Sequence, residues 1–287
     1  MKKKILTLSL AVCLAATAIV GGTLAYFTDI DADVNVMTTG NVKIVQNEEQ
    51  RDDEGKAEAF KNDKMLIPAV YNGTLSYDGT FIATNGDTYS IWNESVNNEV
   101  DKFITVTNNG SRPAYVRTII AFEDNAAGEL TTKLHTLWGD VNGTGKYEET
   151  TAMADADGVI ENLPYADVVW LQNNDGSWMT ITDSEDVTYT LCVVTYQNAL
   201  DAKDTTIPSL KQLFLDPTAG NEWSEAVGTQ YTIRAISQAI QSEGFDTVNE
   251  AMDSTFVLTQ ANLQSWFDTY SVKTDSAKNT IIAGQAD

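Results

Sequence analysis

Residues 103–122, FITVTNNGSRPAYVRTIIAF, form the clearest strand–turn–strand pattern in the chain. Both ends of the stretch are rich in β-branched and aromatic residues, which are typical of strands. Between them, Asn109-Gly110 is a turn signal, because both residue types adopt positive φ at low cost. The pattern predicts a β-hairpin within residues 101–124.

Strand-forming segments recur on both sides of this hairpin. They are residues 38–47, 187–196 and 230–240, with a second predicted hairpin formed by residues 167–171 and 178–181 around Asn173-Asn174-Asp175-Gly176. Residues 48–63 are polar and charged, and they are predicted to form an exposed loop. Many strands at short spacing favour a two-sheet architecture.

The pattern changes after Gly244. Two short segments have helical character, residues 247–252 and residues 259–267. Thr247 and Thr259 stand at their starts and are suitable N-cap residues. The small, polar tail that follows is predicted to be frayed.

The predicted fold class is therefore all-β, a jelly-roll-like β-sandwich with a short helical C-terminal segment. The sandwich is assigned to residues 41–245, and the helices with the tail to residues 246–287. The sequence contains no internal repeat that would favour a solenoid or a propeller.

The N-terminus carries the features of a secretory signal peptide in residues 1–25. Three lysines precede an apolar run over residues 5–20, and a small residue, Ala25, ends the segment. Cleavage is predicted between Ala25 and Tyr26, which makes the mature protein secreted, extracellular or bound to the cell surface. A retained anchor is the alternative, although the run is shorter than the roughly 20 residues that a membrane span needs.

Residues 26–40 are predicted to form an N-terminal arm. Within it, IDADVNV (residues 30–36) alternates apolar and polar residues, which is the period of a strand with one buried face. The apolar set is Ile30, Ala32, Val34 and Val36. Such an arm either pairs within its own domain as a first strand or adds to the sheet of another subunit.

Charge and cysteine content restrict the protein's partners and chemistry. The formal net charge is −23 at pH 7, which disfavours nucleic acid and anionic lipid as partners. With Cys13 inside the leader, Cys192 is the only cysteine of the mature chain, so no intramolecular disulfide is possible. Cys192 lies in an apolar run and is predicted to be a buried, unreactive thiol.

Catalytic and metal motifs are nearly absent from the sequence. The single histidine, His135, cannot supply the paired histidines of a zinc peptidase helix, and a solvent-exposed or packed side chain is predicted there. Asp140, Asn142 and Thr144 follow part of a calcium-loop template, but the twelfth position is Thr151. A glycine-rich turn is the favoured interpretation of that loop, and calcium is the one cofactor that the sequence suggests.

Two stretches near the N-terminus are GGTLAYFTD (residues 21–29) and TTGNVKI (residues 38–44). Together, and more diffusely with residues 101–111 and 233–240, they resemble the TasA/camelysin family. The resemblance implies cleavage by a signal peptidase of the SipW type in a Gram-positive cell. It also implies a jelly-roll subunit of biofilm-matrix fibres, in which one subunit's N-terminal arm completes the next subunit's sheet.

The resemblance leads to a non-enzymatic structural protein as the expected function, with copies of itself or paralogous matrix subunits as partners. Residues 125–225 depart from the family and are predicted to be a large central insertion. Two alternatives stay open. One is a camelysin-like secreted metallopeptidase, and the other is a monomeric adhesin that binds glycans through some of its six tryptophans and eleven tyrosines.

Overall fold

The computed structural model describes residues 28–31, 42–61, 66, 68–71, 79–92, 96–124, 133–138, 149–151, 159–160, 166–219, 231–270 and 280–281. The strands are β1 (Thr28–Asp31), β2 (Ile44–Arg51), β3 (Ala57–Ala59), β4 (Val70–Tyr71), β5 (Gly79–Ile82), β6 (Thr88–Ile91), β7 (Val96–Asn97), β8 (Val100–Asn108), β9 (Ala114–Glu123), β10 (Leu134–Leu137), β11 (Glu149–Thr151), β12 (Val159–Ile160), β13 (Ala166–Trp170), β14 (Thr180–Thr182), β15 (Thr188–Tyr196), β16 (Leu210–Leu215), β17 (Tyr231–Gln241) and β18 (Thr280–Ile281). The helices are α1 (Val248–Thr255) and α2 (Gln260–Tyr270). The predicted all-β class with a short helical C-terminal segment is confirmed.

Two antiparallel sheets build the molecule. The larger has eight strands along the path β1-β17-β9-β15-β13-β12, with β14 also paired to β15 and β18 to β17. The smaller has six strands in the order β11-β10-β16-β8-β2-β3. Two further pairs, β4 with β7 and β5 with β6, form separate two-stranded sheets.

The main core lies between the two sheets, as expected for a β-sandwich. Ile44 and Ile104 of the smaller sheet share one cluster with Ile120 and Cys192 of the larger sheet. Within it, the Phe122 ring lies 5.1 Å from the ring of Trp170 and 6.5 Å from that of Trp138. Burial of this apolar surface is the main force that holds the sheets together.

The predicted hairpin of residues 101–124 is wrong in its pairing. Both strands exist, but β8 pairs with β2 and β16, whereas β9 pairs with β15 and β17. Residues 109–113 therefore connect one sheet to the other. Asn108 holds this connection, because its side-chain amide donates to the carbonyl oxygens of Arg112 (2.8 Å) and Leu200 (3.0 Å). Its side-chain oxygen accepts from the backbone N–H of Gly110 at 2.9 Å.

The second predicted hairpin is confirmed at its turn and in the antiparallel pair next to it, Gln172 with Trp178, whereas the strands beyond this pair have another partner. The Asn173 N–H donates to the Ser177 carbonyl at 2.7 Å, and Gly176 adopts a positive φ of 81°, as a turn glycine does. The flanking strands β13 and β14 both pair with β15. They therefore lie end to end along one strand, with the turn between them.

The predicted exposed loop of residues 48–63 is also wrong in part. Residues 48–51 continue β2, and β3 returns beside them, with Arg51 opposite Ala57. The turn between the strands contains Gly55 at a φ of 79°. Two of the charged residues in the strand form ion pairs, Glu48 with Lys102 and Arg51 with Asp101.

The strands of the predicted insertion belong to the sandwich. β15 lies between β9 and β13 inside the larger sheet, and β16 lies between β10 and β8 inside the smaller one. Residues 166–215 therefore contribute strands to both layers.

The outer face of the larger sheet is covered by the C-terminal helices. Leu263 of α2 packs near Ile119, and Met252 of α1 packs near Ile240. Both predicted N-caps are confirmed, since the hydroxyl of Thr247 accepts from the N–H of Glu250 and that of Thr259 from Asn262, each at 3.2 Å. In the described part of the chain, neither helix is long and apolar enough to cross a membrane.

The outer face of the smaller sheet is covered by the β5–β6 hairpin. Phe81 stacks on Phe103, with ring centroids 3.6 Å apart, and Trp92 meets the edge of Phe214 at 4.9 Å. Both sheets are thus packed on both faces over much of their area. This explains why β8, β9 and β15 are buried almost continuously instead of alternating.

Candidate assembly site at the edge of the larger sheet

The start of the N-terminal arm forms the edge of the larger sheet. β1 runs antiparallel to β17, with Thr28 opposite Ile240 and Asp31 opposite Ser237. The other side of β17 is occupied by β9 over residues 233–241. β18 pairs with Tyr231 and Thr232 at the start of the same strand. The side of β17 that pairs with β1 is called the β17 edge, and its backbone donors and acceptors are the groups with which an added strand pairs.

β17 is held rigidly from both faces. Ile233 and Ala239 belong to the core between the sheets. On the opposite face, Ile236 packs in the cluster that includes α2, and Ile240 packs in the cluster that includes α1. A strand fixed in this way is a preformed template for an added strand, because its own backbone loses little freedom on pairing.

A buried arginine ties this edge to the helices. Arg117 of β9 is 2% exposed, and its guanidinium donates to the side-chain oxygen of Gln238 and to the carbonyl of Phe256, the latter at 2.7 Å. Burial lowers the pKa of Arg117 to about 10, against the opposing effect of the negative charge of Asp253. The side chain stays charged at neutral pH and joins β9, β17 and the end of α1 into one unit.

Most of the sequence-predicted site residues lie outside the described part of the chain. This applies to the cleavage pair Ala25 and Tyr26, to the arm residues Ala32, Val34 and Val36, and to the calcium candidates Asp140, Asn142 and Thr144. Ile30 lies in β1, opposite Gln238 of the same chain. The structure thus brings one of the four predicted donor-strand residues to the β17 edge.

Sequence reasoning missed a polar network inside the sandwich. Glu48 accepts from the side-chain amide of Gln46 at 2.9 Å, and the Gln46 oxygen accepts from the Ser237 hydroxyl at 2.7 Å. Ser237 lies on β17, so its hydrogen bond to Gln46 of β2 links the two sheets, and Ser237 also lies 3.0 Å from the Thr118 hydroxyl on β9. The signal in the sequence is IVQNEEQR, in which the period of two that starts at Ile44 continues through polar residues.

His135 is packed rather than exposed. Its ring stacks on Phe214, with centroids 4.4 Å apart, and its Nε2 lies 2.8 Å from the Asp216 carboxylate. Burial acts to raise the pKa of Asp216, but hydrogen bonds from Thr218 and His135 outweigh it and lower that pKa to about 2. Within the described ranges, no group of three or more His, Cys, Asp or Glu side chains is placed to hold a metal ion.

Cys192 is fully buried in the core, as predicted. Burial raises the pKa of its thiol, and the N–H of Val193 only partly offsets this. Because the thiolate is the reactive form, both the burial and the raised pKa protect this side chain from attack.

We expect native protein prepared with Tyr26 as its first residue to react with a thiol reagent many-fold more slowly than the same protein in denaturant. Absorbance of the released chromophore measures both rates. A variant combining Cys192→Ala with Asn174→Cys, which moves the thiol to an exposed turn, is the matched control and should react equally fast in both conditions. Rapid labelling of native wild-type protein would contradict the burial.

Comparison of the chain with models of protein families, with curated proteins and with solved structures found no match. The features of this chain that bear on function are therefore the β17 edge, the arm and the interior of the sandwich.

Proposed function

We propose that the protein is a secreted, non-enzymatic structural subunit of extracellular matrix fibres. In this proposal the mature chain begins at Tyr26, after a SipW-type signal peptidase has removed the leader. Each jelly-roll-like subunit then adds its N-terminal arm to the sheet of a neighbour, which is a second copy or a paralogous subunit. The residues that enter the neighbour are Ile30, Ala32, Val34 and Val36.

One observation carries this proposal: the described start of the arm is an edge strand on β17. An edge strand near the chain terminus can be exchanged between subunits, since a neighbour's arm can form the same antiparallel ladder without rebuilding the core. Backbone hydrogen bonds give such a joint its strength, and the alternating side chains fix its register.

The charge and packing of the subunit agree with this role. The acidic chain stays soluble before assembly. Both sheets are already covered on their outer faces by α1, α2 and the β5–β6 hairpin. Assembly through an edge needs no large apolar patch on these faces.

The test is negative-stain electron microscopy of the mature protein prepared with Tyr26 as its first residue. We expect fibres, together with a protein fraction that sediments at high speed. The matched control is the full chain with residues 1–25 retained, which should form no fibres because the arm is not free. A mature protein that stays monomeric over a wide range of concentrations would refute self-assembly. Chelator-sensitive hydrolysis of casein would instead support the peptidase alternative.

A further inference from the structure

The interior of the sandwich holds a lysine and a glutamate in direct contact. Lys102 of β8 and Glu48 of β2 lie on adjacent strands, and the Lys102 ammonium contacts the Oε2 atom of Glu48. Their side chains are 0% and 3% exposed, respectively. Two charges removed from water in this way carry a large desolvation cost, which their attraction only partly offsets.

The surroundings of the pair are ordered and largely dry. The second carboxylate oxygen of Glu48, Oε1, accepts from the Gln46 amide at 2.9 Å, and Gln46 is held in turn by Ser237 at 2.7 Å. On the other side, the Phe60 ring lies 4.2 Å from the Lys102 nitrogen. Both reacting groups are therefore fixed in one orientation.

We propose that Lys102 and Glu48 form an intramolecular isopeptide bond. Proton transfer from the ammonium to Oε2 gives a neutral amine beside a neutral carboxylic acid, which removes the cost of holding two charges away from water. The lone pair of Nζ then attacks Cδ of Glu48. The Gln46 amide donates to Oε1, where negative charge develops, and so stabilises the tetrahedral intermediate.

Collapse of the intermediate completes a balanced condensation. The bond from Cδ to Oε2 breaks, this oxygen leaves with two protons from the amine nitrogen as one water molecule, and the Nζ–Cδ amide remains. No oxidant, reductant or cofactor is needed. The held contact supplies the orientation that makes such a reaction effectively unimolecular.

The isopeptide bond would stabilise the folded chain. It replaces a buried ion pair with a neutral amide, and it joins residues that are 54 positions apart in the sequence. A covalent link across a long loop restricts the unfolded chain, as a disulfide does. The mature chain has a single cysteine and cannot use a disulfide. This inference does not depend on fibre assembly.

The experiment is intact-mass spectrometry of the purified protein in denaturant. The mass should be lower than that of the unmodified sequence by one water molecule. Because a modified lysine is not cut by trypsin, the peptide ending at Lys102 should be missing. A branched peptide should appear that joins residues 44–51 to the peptide running through Lys102.

Two lysine-to-methionine variants serve as controls. Lys102→Met should have the mass calculated from its own sequence, with no loss of water. Lys211→Met removes another fully buried lysine, whose ammonium donates to the Ser90 carbonyl at 3.0 Å, and should keep the loss of water. An unmodified mass in the wild-type protein would overturn the proposal, as would loss of ammonia, which would place the bond on Gln46. The wild-type mass decides the question even if a variant does not fold.

Discussion

Phe122→Ala is expected to lower the free energy of unfolding by about 3–5 kcal/mol, the usual range for a large aromatic residue removed from a core. Phe122 is fully buried between the sheets, and its ring contacts Trp138 and Trp170. These three residues lie on or beside β9, β10 and β13, so the cavity would open where strands of both sheets meet. Loss of the ring–ring contacts adds to the loss of buried area.

Chemical denaturation followed by tryptophan fluorescence measures this effect. Phe122→Leu keeps most of the volume and should cost clearly less than Phe122→Ala. Val257→Ala, at a side chain that is 47% exposed, should be close to neutral. Equal unfolding midpoints for Phe122→Ala and Val257→Ala would contradict the assignment of Phe122 to the core.

Local sequence patterns predicted where the strands and helices lie better than they predicted which strands pair with each other. The strands of residues 187–196 and 230–240 and the caps Thr247 and Thr259 were all identifiable, because period and capping chemistry are properties of a few neighbouring residues. The pairing of β8 with β9 was predicted wrongly because Asn109-Gly110 reports only that the chain turns. Whether it turns within one sheet or between two depends on distant strands, here β2, β15, β16 and β17.

Charged residues inside the sandwich were the hardest feature to predict. Glu48 and Arg117 have sequences around them that are compatible with an exposed position. Their burial is made possible by partners far along the chain, Lys102 for Glu48 and Gln238 for Arg117. A buried charge is tolerated where such partners exist, and no local pattern reports their presence.

In the candidate site, too, the local sequence pattern of the arm does not identify the strand with which it pairs. The alternation of residues 30–36 predicts a strand with one apolar face that pairs with another strand. The structure places β1 on the β17 edge of its own chain. Strand pairing has the same geometry whether the arm comes from the same subunit or from a neighbour. The choice between the two is a matter of assembly, which a pair of substitutions on opposite faces of the arm can test.

Val34→Asp is expected to abolish assembly, while Asp33→Asn is expected to leave it nearly unchanged. In the proposed fibre, Val34 enters the neighbour's groove and Asp33 faces water, because adjacent residues of a strand point to opposite faces. A carboxylate placed in an apolar groove without a partner costs several kcal/mol, which is enough to shift the assembly equilibrium by orders of magnitude. Asp33→Asn changes the charge on the solvent face alone.

The two variants also separate exchange between subunits from pairing within one subunit. If the arm serves a neighbour, the Val34→Asp subunit should keep the wild-type melting temperature and fail only to sediment as polymer. If the arm is the domain's own first strand, the same charge enters the subunit's own sheet, and the melting temperature should fall. Thermal unfolding beside a sedimentation assay reads both effects on the same samples. A destabilised Val34→Asp subunit with unchanged sedimentation would exclude the donor strand as the means of assembly and leave β1 as a structural strand of the sandwich.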